Sequence, residues 1–252
     1  MSNRQDKESE IDYWAHHGSE AYADEIWYEK SAKFLEQASW QGLVLDAGCG
    51  NGGFTARLAR PDNTVVGVDI SHEMVKVAKG NGGVFVTGDL ERLPFRDETF
   101  DVAFCSMVLH HFPSIDKVIA EITRVVKDDG TVVIIEPLST AFARLNRNLG
   151  RLVRQLHIKD WKTPNETLHT TGSYLKSLGC NGILDFKMTL VASTTWAEEV
   201  ATFRQNSGAW SFVMLLRAAI MKSFLAVPGL KNQAYDNIII TGAKKLSART
   251  AS

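Results

Sequence analysis

Between residues 42 and 137, short apolar runs alternate with stretches whose apolar residues recur every three or four positions. The runs Leu43–Asp46, Thr64–Asp69, Val84–Gly88, Phe100–Cys105 and Thr131–Glu136 have the length and composition of buried strands. A helix is predicted to begin at Phe54–Leu58, and a second to come after Asp69 with Ser71 as its N-cap. Over Ile115–Val126 the apolar residues Ile115, Val118, Ile119, Ile122, Val125 and Val126 share one helical face. Asp128-Asp129-Gly130 is a turn signal leading into the fifth strand. Strands that alternate with helices predict an α/β fold, a parallel sheet covered on both faces.

The rhythm differs on either side of this block. Residues 11–38 read as helical and carry Tyr13, Trp14, Tyr22, Trp27, Tyr28 and Phe34. After Pro137, residues 139–157 read as a long amphipathic helix and 170–178 as a shorter one. Residues 182–192 are expected to form a strand, 209–226 a strongly apolar helix and Asn237–Thr241 a last strand. The predicted organisation is an N-terminal helical lid over residues 1–40 and one α/β domain over 41–252. Helical cap insertions fall at about 139–180 and 196–228. The first ten residues lack an apolar core and do not read as a secretory signal.

Composition narrows the class. A formal net charge of −1 removes the basic balance that general nucleic-acid binding usually needs. The cysteines Cys49, Cys105 and Cys180 are odd in number and widely spaced, which suggests neither a disulfide framework nor a zinc site. A cytoplasmic protein is expected. His157, His169 and the distant acids lack metal-ligand spacing, so no metal is expected.

Candidate chemistry gathers at the strand ends. Asp46 ends the first strand and leads into Ala47-Gly48-Cys49-Gly50-Asn51-Gly52-Gly53. Gly48, Gly50 and Gly53 fit a dinucleotide fingerprint, so a nicotinamide-dependent dehydrogenase is one reading. The acids favour another. Asp69 ends the second strand, 21 residues after Gly48, at the spacing where a carboxylate accepts from a ribose diol. Asp89 comes after the third strand and is suited to an exocyclic amine, while Ile70 and Leu90 can sandwich a flat base. All three acids are expected to face one crevice beyond the carboxyl ends of the strands. A ligand with a cationic end, a ribose and an aminopurine meets these demands, and S-adenosylmethionine has all three parts.

The same residues resemble the class I S-adenosylmethionine-dependent methyltransferases, in the small-molecule branch with a type 11-like methyltransferase domain. Val44-Leu45-Asp46-Ala47-Gly48-Cys49-Gly50-Asn51-Gly52 is similar to that family's first motif, and Val66-Gly67-Val68-Asp69-Ile70-Ser71 to its second. Gly88-Asp89-Leu90-Glu91-Arg92-Leu93-Pro94-Phe95, Phe100-Asp101-Val102-Ala103-Phe104-Cys105 and Leu109-His110-His111-Phe112 continue the likeness, which covers roughly residues 40–137. The resemblance implies a Rossmann-like doubly wound sheet of seven strands with the last antiparallel. It implies that Gly48 and Gly50 line the methionine moiety, with Asp46 and Cys49 beside them as candidate cofactor-binding residues. Asp69 would hold the ribose, Asp89 and Leu90 would flank the adenine, and Ser106 and Met107 would touch the cofactor. It places the N-terminal helix over that cofactor, where Tyr22 and Trp14 would close on it or simply pack the helix. The product would be S-adenosylhomocysteine. A non-catalytic S-adenosylmethionine-binding scaffold is the further alternative.

The acceptor is read from what surrounds this half. His111, ahead of His110, is the candidate general base; the alternative is that both pack their loop and cap the Pro113–Ser114 turn. Cys105-Ser106-Met107-Val108 stands where enzymes of planar amines carry an Asn/Asp-Pro-Pro-Tyr/Phe tetrapeptide, so DNA is not an expected partner. Helix 139–157 pairs an apolar stripe with Arg144, Arg147, Arg151 and Arg154, either a solvated face or a basic face toward an anionic surface. Arg217 and Lys222 interrupt the apolar run 209–226 and argue against a membrane span. Together these helices suggest a small, apolar, lipid-like or quinone-like acceptor, with peripheral membrane contact as a further reading. Oligomeric state is not specified.

Overall fold

The computed structural model describes residues 33–80, 82–141, 143–145, 148, 167–191, 219, 220, 222, 223, 226 and 237–245. Seven strands form one sheet: β1 (Gly42–Ala47), β2 (Asn63–Asp69), β3 (Val84–Thr87), β4 (Phe100–Ser106), β5 (Val126–Pro137), β6 (Ile183–Val191) and β7 (Asn237–Lys244). Their order is β3-β2-β1-β4-β5-β7-β6. β1 pairs parallel with β2 and β4, β3 with β2, and β5 with β4. β7 is antiparallel to both β5 and β6. The chain winds outward from β1 to β3 and then restarts beside β1 with β4. The carboxyl ends of β1 and β4 therefore flank the topological switch point, where open α/β sheets bind ligands.

The apolar runs form strands because both faces of the sheet are covered. Along β4, Val102 to Ser106 are all buried, and Val132 to Glu136 are buried along β5. Leu45, Val68, Ala103 and Ile134 pack on one face with Ile119 and Ile122 of α3 (Asp116–Val125). Val44, Val65, Phe104 and Val133 pack on the other with Leu35 and with Leu58 of α1 (Gly53–Leu58). All six apolar positions expected on the 115–126 face are buried. Ser71 caps α2 (His72–Gly80): its hydroxyl accepts from the Met74 amide at 3.4 Å and its carbonyl from Val75.

Most boundaries shift from the sequence reading by one residue, and three shift further. The turn signal Asp128-Asp129-Gly130 lies inside β5, not ahead of it. The register slips between Phe100 and Val102, and Asp129 adopts a φ of 59°, so the segment is a bulge within a strand that starts at Val126. β7 continues to Lys244, and α4 (Thr171–Cys180) runs two residues past its expected end.

The predicted lid and caps fall mostly outside the described residues. Residues 33–36 are helical, whereas Trp14 and Tyr22 lie outside. Helical residues occur at 141, 143–145 and 148, and again at 219, 220, 222, 223 and 226; the rest of both predicted helices lies outside. Among the described residues, no helix is long and apolar enough to cross a membrane.

Candidate active site

The turn after β1 is built by glycine and held by β2. The Gly48 and Cys49 amides both donate to the Val68 carbonyl, at 2.8 and 3.0 Å. This double bond to one carbonyl needs a left-handed backbone, and Gly48 has a φ of 80°. A Cβ on Gly48 would lie 2.6 Å from Val108 Cγ2, so the loop after β4 presses directly on the turn. Gly50 (φ 51°) turns its amide outward to Asp69, donating to Oδ2 at 2.9 Å. The Ser71 amide donates to Oδ1 of the same carboxylate at 2.9 Å. Asp69 is thus fixed from both sides at the mouth of the switch point. A carboxylate has about four acceptor sites, so each oxygen retains capacity for a ligand hydroxyl.

Burial raises the pKa of Asp69, opposed by the Ser71 and Gly50 amides and by the charge of His111. The last contribution places His111 within electrostatic reach of Asp69. The two residues come from different loops, 42 positions apart in sequence.

Asp46 requires a correction. The sequence reading opens it onto the same crevice as Asp69 and Asp89, but it is only 2% exposed. Its Oδ2 accepts a short hydrogen bond from the Thr55 hydroxyl of α1. Burial pushes its pKa up to about 7, with the Thr55 bond opposing and the Asp69 charge adding to the rise. Asp46 ties α1 to β1 beneath the glycine turn. The physical reason is register: Asp46 pairs with Gly67 and Phe104 inside the sheet, one position short of the strand end.

The third strand end is a tight turn. Asp89 is half-buried, and its Oδ1 accepts from the Glu91 amide at 2.9 Å while its carbonyl accepts from Arg92. Leu90 is buried and Ile70 is exposed, so an apolar floor and an apolar rim lie beside the two acids. Arg124 anchors the chain from Leu93 to Asp97, just beyond this turn. Its guanidinium donates to the Leu93 and Phe95 carbonyls and pairs with Glu121 and Asp97.

After β4 the two histidines part company. Their rings are 4.2 Å apart. His110 is buried, and its Nδ1 lies 2.9 Å from Glu136 Oε2. His111 is half-buried and faces the field of Asp69. Met107 takes a left-handed φ of 54°, and its amide donates to the Ile135 carbonyl. Ser106 is buried, and its Oγ has no hydrogen-bond partner among the described residues. Gly48, Cys49, Gly50, Asp69, Ser106, Met107 and His111 therefore gather at the junction of β1, β2 and β4. Asp89, Ile70 and Leu90 line its β3 side, and Tyr22 lies outside the described residues.

Glu136 was missed by sequence reasoning, in which it is only the last residue of the fifth strand. A carboxylate closing the otherwise apolar run Val132–Ile135 was the available signal.

Residues 45–134 match a family model described as a methyltransferase domain. The chain is 38% identical over 110 residues to a tRNA (carboxymethyluridine(34)-5-O)-methyltransferase of Arabidopsis thaliana, covering 42% of this chain and 27% of that one. It is 35% identical over 113 residues to a demethylmenaquinone methyltransferase of Corynebacterium kroppenstedtii, covering 45% and 49%. The chain spans about half the length, or less, of the curated relatives it matches. Its fold superposes on a geranyl diphosphate C-methyltransferase of Streptomyces coelicolor A3(2) with a TM-score of 0.63 at 13% identity, covering 86% of this chain and 79% of that one. The family match, the seven-stranded sheet and the strand-end cluster agree: residues 45–134 match a methyltransferase domain, and the sheet that carries them has the fold of solved S-adenosylmethionine-dependent methyltransferases.

Proposed function

We propose that this protein transfers a methyl group from S-adenosylmethionine to a small-molecule acceptor. The observation that carries the reading is Asp69, clamped by the Gly50 and Ser71 amides at the mouth of a left-handed glycine turn. The residues present fit the donor. Gly48 and Gly50 bring backbone close to its amino-acid end, and Asp69 offers acceptor sites to its ribose hydroxyls. Asp89, with Ile70 and Leu90, suits an aminopurine. The unpartnered Oγ of Ser106 lies at the strand end next to the turn. The relative named for demethylmenaquinone and the neighbour named for geranyl diphosphate support an apolar acceptor.

A sulfonium supplies an electrophilic methyl carbon with a good leaving group already attached. The protein's part is alignment and exclusion of water, which in favourable cases contributes about 7–11 kcal/mol. The β1 and β4 turns bring donor and acceptor sides together, because Val108 packs on Gly48. Where the acceptor loses a proton during attack, His111 takes it, as the half-buried imidazole of the pair, whose charge acts on Asp69. The Arabidopsis relative is named for an RNA and the Corynebacterium one for a quinone precursor, so the shared half is the donor half. Acceptor choice on this reading belongs to the segments beyond Pro137.

Calorimetry with S-adenosylhomocysteine and with NAD tests the donor. Binding of the first alone is expected; binding of NAD alone would establish the dehydrogenase reading. Incubation with methyl-labelled S-adenosylmethionine and a fractionated cell extract tests turnover. Label should enter a small, organic-soluble fraction. Label in RNA would reassign the acceptor, and binding without any transfer would leave a scaffold.

A further inference from the structure

Glu136 is fully buried at the carboxyl end of β5. No Lys or Arg is paired with it among the described residues; instead it is spent on three consecutive residues of the loop after β4. Oε1 accepts from the Val108 amide at 2.7 Å and the Leu109 amide at 2.8 Å, and Oε2 meets His110 Nδ1 at 2.9 Å. Burying a carboxylate is expensive, and an apolar residue of similar size would fill the same volume at less cost. The three bonds it makes are a task that an apolar side chain could not perform.

The geometry gives Glu136 two effects. First, Val108 is the residue whose methyls lie against Gly48. Holding the Val108 amide therefore sets the height of the β4 loop over the glycine turn. Second, an ionised Glu136 can only accept, so His110 Nδ1 carries the proton and Nε2 is the ring's basic nitrogen. A carboxylate behind an imidazole fixes its tautomer and orientation in the same way in hydrolytic triads. The loop is secured further along as well: the His110 carbonyl accepts from the Thr167 amide at 2.7 Å, and the Phe112 carbonyl lies 2.9 Å from His169 Nε2.

We propose that Glu136 is a positioning residue for methyl transfer, templating the β4 loop through Val108 and Leu109 and holding His110 with its Nε2 basic. This rests on the methyltransferase reading of the site. His110, so held, supports His111, whose ring it contacts and which takes the proton on the reading above. No bond is made or broken at Glu136 itself.

The decisive variant is Glu136→Gln. The amide oxygen still accepts from Val108 and Leu109, so the loop keeps its shape. The amide nitrogen donates to His110 Nδ1 and drives the proton to Nε2. Nitrogen-15 NMR of the imidazoles in the full chain should show the Nδ1–H tautomer of His110 in the wild type and Nε2–H in the variant. Affinity for S-adenosylhomocysteine should stay within about threefold. Transfer of labelled methyl into the extract's acceptor fraction should fall by about a hundredfold, the low end of a general acid–base contribution. If Glu136→Gln does not fold, His110→Asn provides the second route. Its side-chain amide still donates to Glu136, so S-adenosylhomocysteine should bind while transfer is lost to a similar extent. Wild-type transfer rates in a folded variant, or an unchanged His110 tautomer in Glu136→Gln, would overturn the proposal. Failure of the wild type to bind S-adenosylhomocysteine would instead overturn the methyltransferase reading, so the two failures are distinguishable.

Discussion

The turns after β1 and β4 lie side by side at the same end of the sheet, yet they are built on opposite principles. The β1 turn reaches its left-handed backbone with Gly48, Gly50 and Gly52, and its bonds run to the neighbouring strand's Val68 carbonyl and to Asp69. The β4 turn bends at Met107, a bulky residue in the same left-handed region, and is held by the side chain of Glu136 and by the Ile135 carbonyl. One turn is permissive by composition; the other is imposed by a buried template. The first leaves backbone open to a ligand. The second delivers side chains, Val108 downward onto Gly48 and His111 into a position where its charge acts on Asp69.

The largest expected effect comes from removing the permissiveness. In Gly48→Ala a methyl enters the space of Val108 and the backbone keeps its φ of 80°. Overpacking and left-handed strain together should cost roughly 2–5 kcal/mol of stability. Denaturant unfolding measures it, and S-adenosylhomocysteine affinity should fall sharply in whatever remains folded.

Next comes the acid beneath the turn. The folded pKa of Asp46 is raised to about 7 from 3.8, so between those values the folded state holds more protons than the unfolded state. Stability from this group is therefore greatest at low pH and declines as pH rises from about 4 through about 7. Asp46→Asn keeps an acceptor for Thr55 and removes the titration. It should flatten the slope and raise stability above pH 7 by on the order of 2–4 kcal/mol. Thermal melts across that range would contradict this if both proteins ran parallel.

Asp69→Ala removes the carboxylate that joins the β1 turn to β2 and that, on the proposed reading, meets the ribose. Affinity for S-adenosylhomocysteine should drop by the worth of a charge-assisted bond, about 1.5–3 kcal/mol, by calorimetry. Unchanged affinity would take Asp69 out of the site. The smallest effect is expected at Met107→Gly. Relief of about 1–2 kcal/mol of left-handed strain is offset by unfolded-state entropy, leaving a stability change of about 1 kcal/mol or less. A large loss there would mean that Met107 packs the site rather than merely tolerating its bend.

The same contrast explains what was legible in the sequence. Glycine positions, strand-end acids and the apolar face of α3 are local signals, and they placed β1, β2 and α3 well, with Asp69 at the end of its strand. Asp46 was misplaced because alternation along a strand does not tell whether its final acid clears the sheet. That depends on the register with Gly67 and Phe104 and on Thr55 nine residues away. The bulge at Asp128-Asp129-Gly130 looks like a turn in sequence because the chemistry of the two is alike. Glu136 acts on residues 26 to 28 positions upstream, through a contact that exists only once β4 and β5 are paired. No spacing rule announces it. His110 and His111 are inseparable by type and position, and only the strand behind them tells one from the other.

The measurement that bears most directly on the central claim is a crystal structure of the full chain with S-adenosylhomocysteine. The ribose diol should lie on the Asp69 carboxylate, with the amino-acid end over Gly48 to Gly50 and the adenine beside Asp89 and Leu90. A nucleoside bound elsewhere, with Asp69 holding only the Gly50 and Ser71 amides, would contradict it.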